Sequence, residues 1–361
     1  MKKRVIGLDL LRIISMLGII GLHVIGQGGL INNSNIHSIK YYVILLLLVF
    51  FYTSVDVFGL LSGYLNISKE KNKYSRFVQL IMILIYYCLL IPSIFYLFNI
   101  DNIRDSGYKE LLFNYFPILI GRYWYITFYL FLFMLIPYIN KFCKMLDRKS
   151  FKKFLVILFV LLSVIPSLLF RDIFGILSGY SPFWLIYCYM VGAYIKLYNV
   201  KIKNNIKYFI LLFVSCFLLN SLIRNVEYLW FNNISHGDSF INYISPFTFS
   251  MSILLLLFFK EIDIKNSIIR KVIIYYSGTS FSVYIIHCNR VIYDRIMKNM
   301  FVPLLNYNSI VVFLGIIISV LFIYFVCSFV DEFRKLLYRL FKVNKLIDLI
   351  GKKFDKIFNS E

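Results

Sequence analysis

Apolar residues along this chain form ten long runs that are separated by short polar segments. Each run is about 20 residues long, which is what a helix needs to cross a hydrocarbon core of roughly 30 Å at 1.5 Å per residue. The pattern therefore predicts ten transmembrane helices. They are expected at residues 5–25, 43–65, 77–98, 118–139, 154–170, 183–198, 207–223, 243–259, 272–291 and 309–330.

The composition excludes a soluble fold. Of the 361 residues, 60% are apolar and 19% are aromatic, and the mean hydropathy is +0.76. Charged residues make up 16% of the chain, whereas soluble domains carry about 25%. A single globular core cannot bury that much apolar surface, so we expect an all-α integral membrane protein.

The net charge of +21 is distributed unevenly among the predicted loops. When successive loops are assigned to alternate sides, one side together with both termini carries 29 of the 39 Lys and Arg residues, and the other side carries 9. The positive-inside rule then places both termini in the cytoplasm. The basic residues lie in short loops and form no recognisable nucleic-acid-binding module, so we expect no nucleic-acid partner.

The chain divides into a membrane domain, residues 1–330, and a tail, residues 331–361. In the tail, apolar residues recur at helical spacing with Lys and Arg between them, which is typical of an amphipathic helix on the inner membrane surface. The alternative is an amphipathic helix docked on the cytoplasmic loops. The six cysteines are scattered without the spacing of a metal or redox site, so no metal site is predicted.

Ionisable residues inside the predicted spans are candidates for function, because a charge in hydrocarbon is costly unless it is paired or lines a wet cavity. They are Asp9, Arg12, His23, Asp56 and His287. Asp9 and Arg12 are three residues apart and can pair on one helix face. Arg12 and His23 share a stripe of the same helix and lie about 16 Å apart along its axis. The alternative is that Asp9 and Arg12 form a structural ion pair and that His23 is a capped interfacial residue. For His287, the alternative is an outer-interface residue bonded to a backbone carbonyl.

Two further pairs of residues have both a structural and a functional interpretation. Arg122 and Trp124, at the start of the fourth span, either belong to an interfacial belt or hold a sugar by stacking and hydrogen bonds. Ser62 and Gly63, in the second span, allow close helix packing or access of a ligand to the backbone.

Four motifs occur in order within the predicted spans. They comprise residues 7–12 with His23, residues 54–58 with 62–64, residues 124–137, and residues 282–287. Together they resemble, from residue 4 to about 330, the bacterial membrane acyltransferase-3 family, whose opening motif is an arginine, ten residues and a histidine. The family's Arg-x-x-Arg after the second helix is here Lys73 to Arg76, which loses one planar guanidinium group.

The resemblance implies transfer of an acyl group, most often acetyl, from acyl-CoA to a sugar hydroxyl of an envelope or secreted glycan. The protein would then be a multi-pass protein of the bacterial plasma membrane. His23 is expected to act as general base, with a short-lived acyl-histidine as the alternative. Either Asp56 or Asp9 would orient His23 or Arg12.

Donor and acceptor contacts are expected at opposite ends of the spans. Acetyl-CoA, or another acyl-CoA, is expected to be a donor substrate rather than a permanently bound cofactor. Its expected contacts are Lys73, Arg76, Ser62 and Gly63, and those of the acceptor are Arg122, Trp124 and His287.

A transporter or flippase of a lipid-linked glycan is the competing class, since charges inside a membrane also mark substrate paths. The sequence contains no detectable repeat and no matched pair of Gly- or Pro-broken helices, which are typical of many transporters. A purely structural or sensory membrane protein would not explain the pairing of Arg12 with His23.

Overall fold

The computed structural model describes residues 4–106, 112–118, 121–234 and 236–359, and these residues form helices without any β-strand. Eleven helices of at least twelve residues form the architecture. They are α1 Ile6–Ile25, α2 Ile39–Asn66, α3 Tyr74–Leu97, α4 Trp124–Met145, α5 Arg148–Phe159, α6 Pro182–Leu197, α7 Asn205–Phe231, α8 Pro246–Phe259, α9 Ser267–His287, α10 Ser309–Leu340 and α11 Val343–Phe358. A π-helical turn, Val160–Val164, extends α5 to Leu168.

Seven helices are long and apolar enough to cross a bilayer, namely α1 to α5, α7 and α10. The multi-pass membrane architecture is thereby confirmed. The other predicted spans coincide with α6, α8 and α9, which fall short for different reasons. Helix α8 has 14 residues, or about 21 Å, and α9 begins with Arg270 and Lys271 among its first residues. A count of ten spans and the cytoplasmic position of the termini remain predictions.

Serine caps set the starts of α6 and α8. The side chains of Ser181 and Ser245 accept hydrogen bonds from the backbone N–H groups two residues on, and a proline follows each serine. This combination is a strong helix start, because the cap satisfies a free N–H group and proline has none to satisfy. The loops before these caps carry Tyr180 and Tyr243, so the caps also position two aromatic side chains.

Small residues allow α2 to lie at the centre of the bundle. A Cβ atom at Gly63 would clash with the Tyr189 carbonyl on α6, and one at Gly192 of α6 would clash with the backbone of Leu60. Reciprocal glycines of this kind let two membrane helices pack backbone to backbone. The close crossing of α2 and α6 therefore explains why Gly63 is a glycine.

The C-terminal segment begins differently from the predicted tail. Helix α10 continues without a break through Asp331, which is buried and accepts hydrogen bonds from Arg334 (2.7 Å) and Tyr87 (2.9 Å). The amphipathic helix that follows, α11, docks on the start of α3, where Asp355 accepts a hydrogen bond of 2.8 Å from the Tyr74 backbone. Docking on a neighbouring loop was one of the two alternatives for the tail.

Other apolar side chains of α11, among them Leu346, Leu349 and Ile357, remain exposed. Contact of this helix with lipid is therefore compatible with its docked position.

Candidate active site

Helices α1 and α9 run side by side and bring two pairs of polar side chains together. The Arg12 Nη1 atom donates to Ser277 Oγ at 2.9 Å, and His23 Nδ1 lies 3.1 Å from His287 Nε2. Arg12 and His23 are separated by nearly the same number of residues as Ser277 and His287, so the two helices are parallel and in register. The predicted stripe on α1 therefore faces α9 at both ends.

A backbone carbonyl fixes the protonation of the histidine pair. His287 Nδ1 lies 2.6 Å from the carbonyl oxygen of Val283, one turn earlier in α9. Because a carbonyl can only accept, this nitrogen carries the proton and Nε2 of the neutral ring offers a lone pair. His23 Nδ1 can then donate to His287 Nε2, which leaves His23 Nε2 as an unprotonated acceptor.

Cys288 completes this cluster, which we call the His23 site. Its Sγ atom lies 3.4 Å from His287 Nε2 and 3.6 Å from His23 Nδ1. The predicted ninth span extends to residue 291, but α9 ends at His287, and Cys288 is its C-cap. The early end of the helix turns the thiol towards both imidazoles.

A cavity of about 980 Å³ opens beside His23 and is lined by Arg122 and Trp124. Trp124 lies against Tyr180 at 4.6 Å between ring centroids and stacks with Tyr243 at 6.0 Å. Arg122 forms an ion pair of 3.6 Å with Asp294. His287 is buried behind His23. His23 and two of the predicted acceptor contacts, Arg122 and Trp124, therefore line one cavity, whereas Arg12 and Asp56 do not.

Charged and hydroxyl groups also line the cavity. Arg224 is ion-paired with Asp238 and donates to the Tyr41 hydroxyl at 2.8 Å. Burial raises the pKa of Tyr180, so its hydroxyl remains a neutral donor at physiological pH. Aromatic faces beside fixed donors and acceptors suit a polyhydroxylated ligand, because its rings have apolar faces and polar edges.

The other end of α1 carries a cluster of charges, which we call the Arg12 site. Arg4 donates two hydrogen bonds to Asp9 at 2.7 and 2.8 Å, and Arg12 donates to the same carboxylate at 3.3 Å. Arg12 and Arg76 lie close enough for their charges to interact with each other and with Tyr129. A site with this excess of positive charge attracts anions.

The structure places two of the predicted donor contacts, Arg76 and Ser62, near the Arg12 site and another, Gly63, in a helix–helix contact. Arg76 and Lys73 are exposed at the start of α3, and Ser62 interacts with the Tyr129 hydroxyl. Burial and the charge of Arg76 lower the pKa of Lys69, which adjoins this group. Gly63 is buried against α6 and serves helix packing.

Asp56 contacts α6 rather than the histidine pair or Arg12. Its Oδ1 atom accepts a hydrogen bond of 2.9 Å from the Trp184 indole and lies 3.8 Å from Cys188 Sγ, both on α6. Asp9 is the carboxylate that contacts Arg12. The contacts of Asp56 are therefore with α6, and the carboxylate beside Arg12 is that of Asp9.

Two stacked tyrosines on α4 connect the two sites. Tyr129 interacts with Arg12, and Tyr125 lines the cavity beside His23. Their ring centroids are 6.4 Å apart with nearly parallel planes, and Tyr125 also contacts Tyr284 edge-on at 6.3 Å. An aromatic surface therefore runs from the charged end of α1 to the histidine pair.

Comparison with known families gives one match. A family model described as an acyltransferase domain matches residues 5–329. Curated proteins and solved structures give no significant match. The matched segment includes all the helices that build the His23 site and the Arg12 site. The chain belongs to the acyltransferase-3 family, a family of membrane proteins that transfer acyl groups.

Proposed function

We propose that this protein transfers an acetyl group from acetyl-CoA to a sugar hydroxyl of an envelope or secreted glycan, with His23 as general base. The observation that carries the proposal is the chain of contacts from the Val283 carbonyl through His287 to His23, beside an aromatic cavity. The family supplies acyl transfer as the reaction class. The chemistry of the two sites supports the proposed donor and acceptor.

In the proposed reaction, His23 Nε2 takes the proton of an acceptor hydroxyl held in the cavity. The hydroxyl oxygen attacks the thioester carbonyl, and the tetrahedral intermediate collapses with loss of the coenzyme A thiolate. That thiolate takes the proton back from His23, so the enzyme returns to its starting state. His287 is a positioning residue, because it holds His23 in the tautomer with a free Nε2.

The acceptor is proposed to be a sugar because of the side chains around the cavity. Trp124, Tyr180 and Tyr243 present aromatic faces, on which the apolar face of a pyranose can stack. Arg122, Arg224 and Asp238 line the same cavity and supply polar groups for the hydroxyls of the sugar. We place this cavity on the outer side of a bacterial plasma membrane, in agreement with the positive-inside prediction.

The donor is proposed to bind at the Arg12 site. Arg12 and Arg76 offer guanidinium groups to the phosphates of the nucleotide, with Lys73 nearby. The pantetheine arm would extend along Tyr129 and Tyr125 towards His23. The axial distance between Arg12 and His23, about 16 Å, is one that such an extended arm can cover.

Purified full-length protein incubated with acetyl-CoA that carries a labelled acetyl group tests the proposal. Transfer of the label to a sugar, or donor hydrolysis that depends on His23, supports it. His236→Gln is the matched control, because His236 is exposed and its Nδ1 atom lies 2.6 Å from Glu227 Oε1, outside the His23 site. Movement of a lipid-linked glycan across the membrane without either reaction would instead support a transporter and refute the proposal.

A further inference from the structure

The three polar atoms of the His23 site form a compact triangle. Its edges are 3.1 Å between His23 Nδ1 and His287 Nε2, 3.4 Å between Nε2 and Cys288 Sγ, and 3.6 Å between Sγ and His23 Nδ1. A grouping of two imidazoles and one thiol matches the ligand preference of Zn²⁺, which binds nitrogen and sulfur.

The triangle has nearly the size that a zinc ion requires. With Zn–N bonds of about 2.0–2.1 Å and a Zn–S bond of about 2.3 Å, tetrahedral geometry places two nitrogens about 3.3 Å apart and nitrogen and sulfur about 3.6 Å apart. The observed edges differ from these values by a few tenths of an ångström. A metal ion can therefore be accommodated by small side-chain adjustments.

The surroundings of His287 are also those of a metal ligand. Metal-bound histidines usually donate their other ring N–H to a carbonyl or carboxylate, which fixes the tautomer. The Val283 carbonyl accepts from His287 Nδ1 in this way. His287 Nε2 thus presents a lone pair to the centre of the triangle before any metal arrives.

The fourth position of the ion would face the cavity. His23 and Cys288 both line it, so a metal ion has a path of entry and room for a water molecule as fourth ligand. Sites with three protein ligands and one open position are typical of accessible zinc ions.

We propose that His23, His287 and Cys288 form a Zn²⁺ site whose occupancy inactivates the acyltransferase. The inactivation rests on the proposed role of His23. Zinc at His23 Nδ1 forces the ring proton onto Nε2, which then cannot accept the proton of a hydroxyl. The Cys288 thiol loses its proton to solvent when it binds the metal, since the thiolate is the ligand.

The test uses full-length protein that has been treated with chelator and is titrated with Co²⁺, a spectroscopic substitute for Zn²⁺. We expect one ion per chain and an absorption band from thiolate-to-cobalt charge transfer. The band should disappear in Cys288→Ala and Cys288→Ser and should persist in Cys143→Ala, whose cysteine is buried in α4. His287→Gln should bind the ion more weakly than the unmodified protein.

A band that survives in both Cys288 variants, or the absence of metal binding, would overturn the proposed site. Inactivation is tested separately with Zn²⁺: acetyl transfer should fall in proportion to the bound metal, and chelator should restore it. Unchanged or increased transfer with the site filled would overturn the inhibitory role. Because metal binding is measured without turnover, a protein that binds cobalt as expected but transfers no acetyl group would refute the proposed function alone.

Discussion

The His23 site and the Arg12 site are built on the same two helices and differ in chemistry. At the His23 site, two imidazoles and a thiol contact each other directly at the edge of an aromatic cavity. At the Arg12 site, Asp9 accepts hydrogen bonds from two guanidinium groups and from Ser277 on α9. One end thus offers an imidazole nitrogen whose lone pair can accept a proton, and the other offers permanent positive charge.

This difference teaches how one helix pair can serve two substrates. Phosphates need fixed cations, whereas a general base needs a lone pair that is free when the hydroxyl arrives. If the guanidinium groups adjoined His23, their charge would oppose protonation of the imidazole during the reaction. Separation by about three helical turns keeps anion binding apart from proton transfer. The predictions below test that division of labour.

The largest effect is expected for His23→Gln, which keeps a polar side chain but removes the base. The rate constant kcat should fall by about 10²- to 10⁴-fold, the usual contribution of a general base. Isothermal titration of the purified variant with acetyl-CoA should show unchanged donor affinity, because the donor phosphates bind at the Arg12 site. If donor affinity fell as much as kcat, His23 would contribute to donor binding, and the proposed separation of the two sites would be wrong.

A smaller loss is expected for His287→Gln, because His23 keeps its ring and loses the partner that selects its tautomer. We expect kcat to fall by about 10- to 100-fold, as for the loss of one strong hydrogen bond, with little change in KM. The readout that separates positioning from folding is the pH–rate profile of kcat. It should shift relative to the unmodified protein, and an unchanged profile would argue that His287 is merely structural.

Arg76→Ala should raise the KM for acetyl-CoA by about tenfold, and Lys73→Ala should raise it less, because a guanidinium can grip a phosphate with two parallel bonds. The acceptor KM should not change in either variant. Both effects should decrease as salt is added, since the residues are exposed and their charges are screened. An equal KM for acetyl-CoA in the unmodified protein and in both variants would exclude this loop from the donor site.

Trp124→Ala should have the smallest effect, at the acceptor end. Loss of an aromatic stacking contact of about 0.5–1.5 kcal/mol corresponds to a two- to tenfold rise in acceptor KM. Trp230→Ala is the matched control, because Trp230 is 78% exposed on α7 and does not line the cavity. An equal change in both variants would show that the effect does not arise from the cavity.

Much of the scaffold could be predicted from hydropathy alone. Each predicted span overlaps a helix, because a run of apolar residues in lipid must satisfy its backbone hydrogen bonds internally. The pairing of Arg12 with Asp9 and the shared stripe with His23 follow from helical periodicity. These features depend on local spacing, which a sequence displays directly.

Contacts between distant segments could not be predicted in this way. Cys288 reaches His23 because α9 ends at His287 and the chain turns there. In the sequence, the apolar pattern continues beyond this point without interruption. Tyr180 and Tyr243 belong to loops separated by two helices, and in sequence they resemble the tyrosines of an interfacial belt. The partner of Asp56 depends on which helix packs against α2. Helix α6 packs against α2 because Gly63 and Gly192 let the two backbones approach closely.

The central claim is that donor and acceptor reach His23 from opposite ends of the bundle. Sealed membrane vesicles from cells that produce the protein test it directly, with labelled acetyl-CoA added to the outer solution and the native membrane glycan as acceptor. Inside-out vesicles, which expose the cytoplasmic face, should label the glycan, and right-side-out vesicles should not. Labelling in inside-out vesicles should be lost in His23→Gln. Equal labelling of both kinds of intact vesicle would contradict the claim.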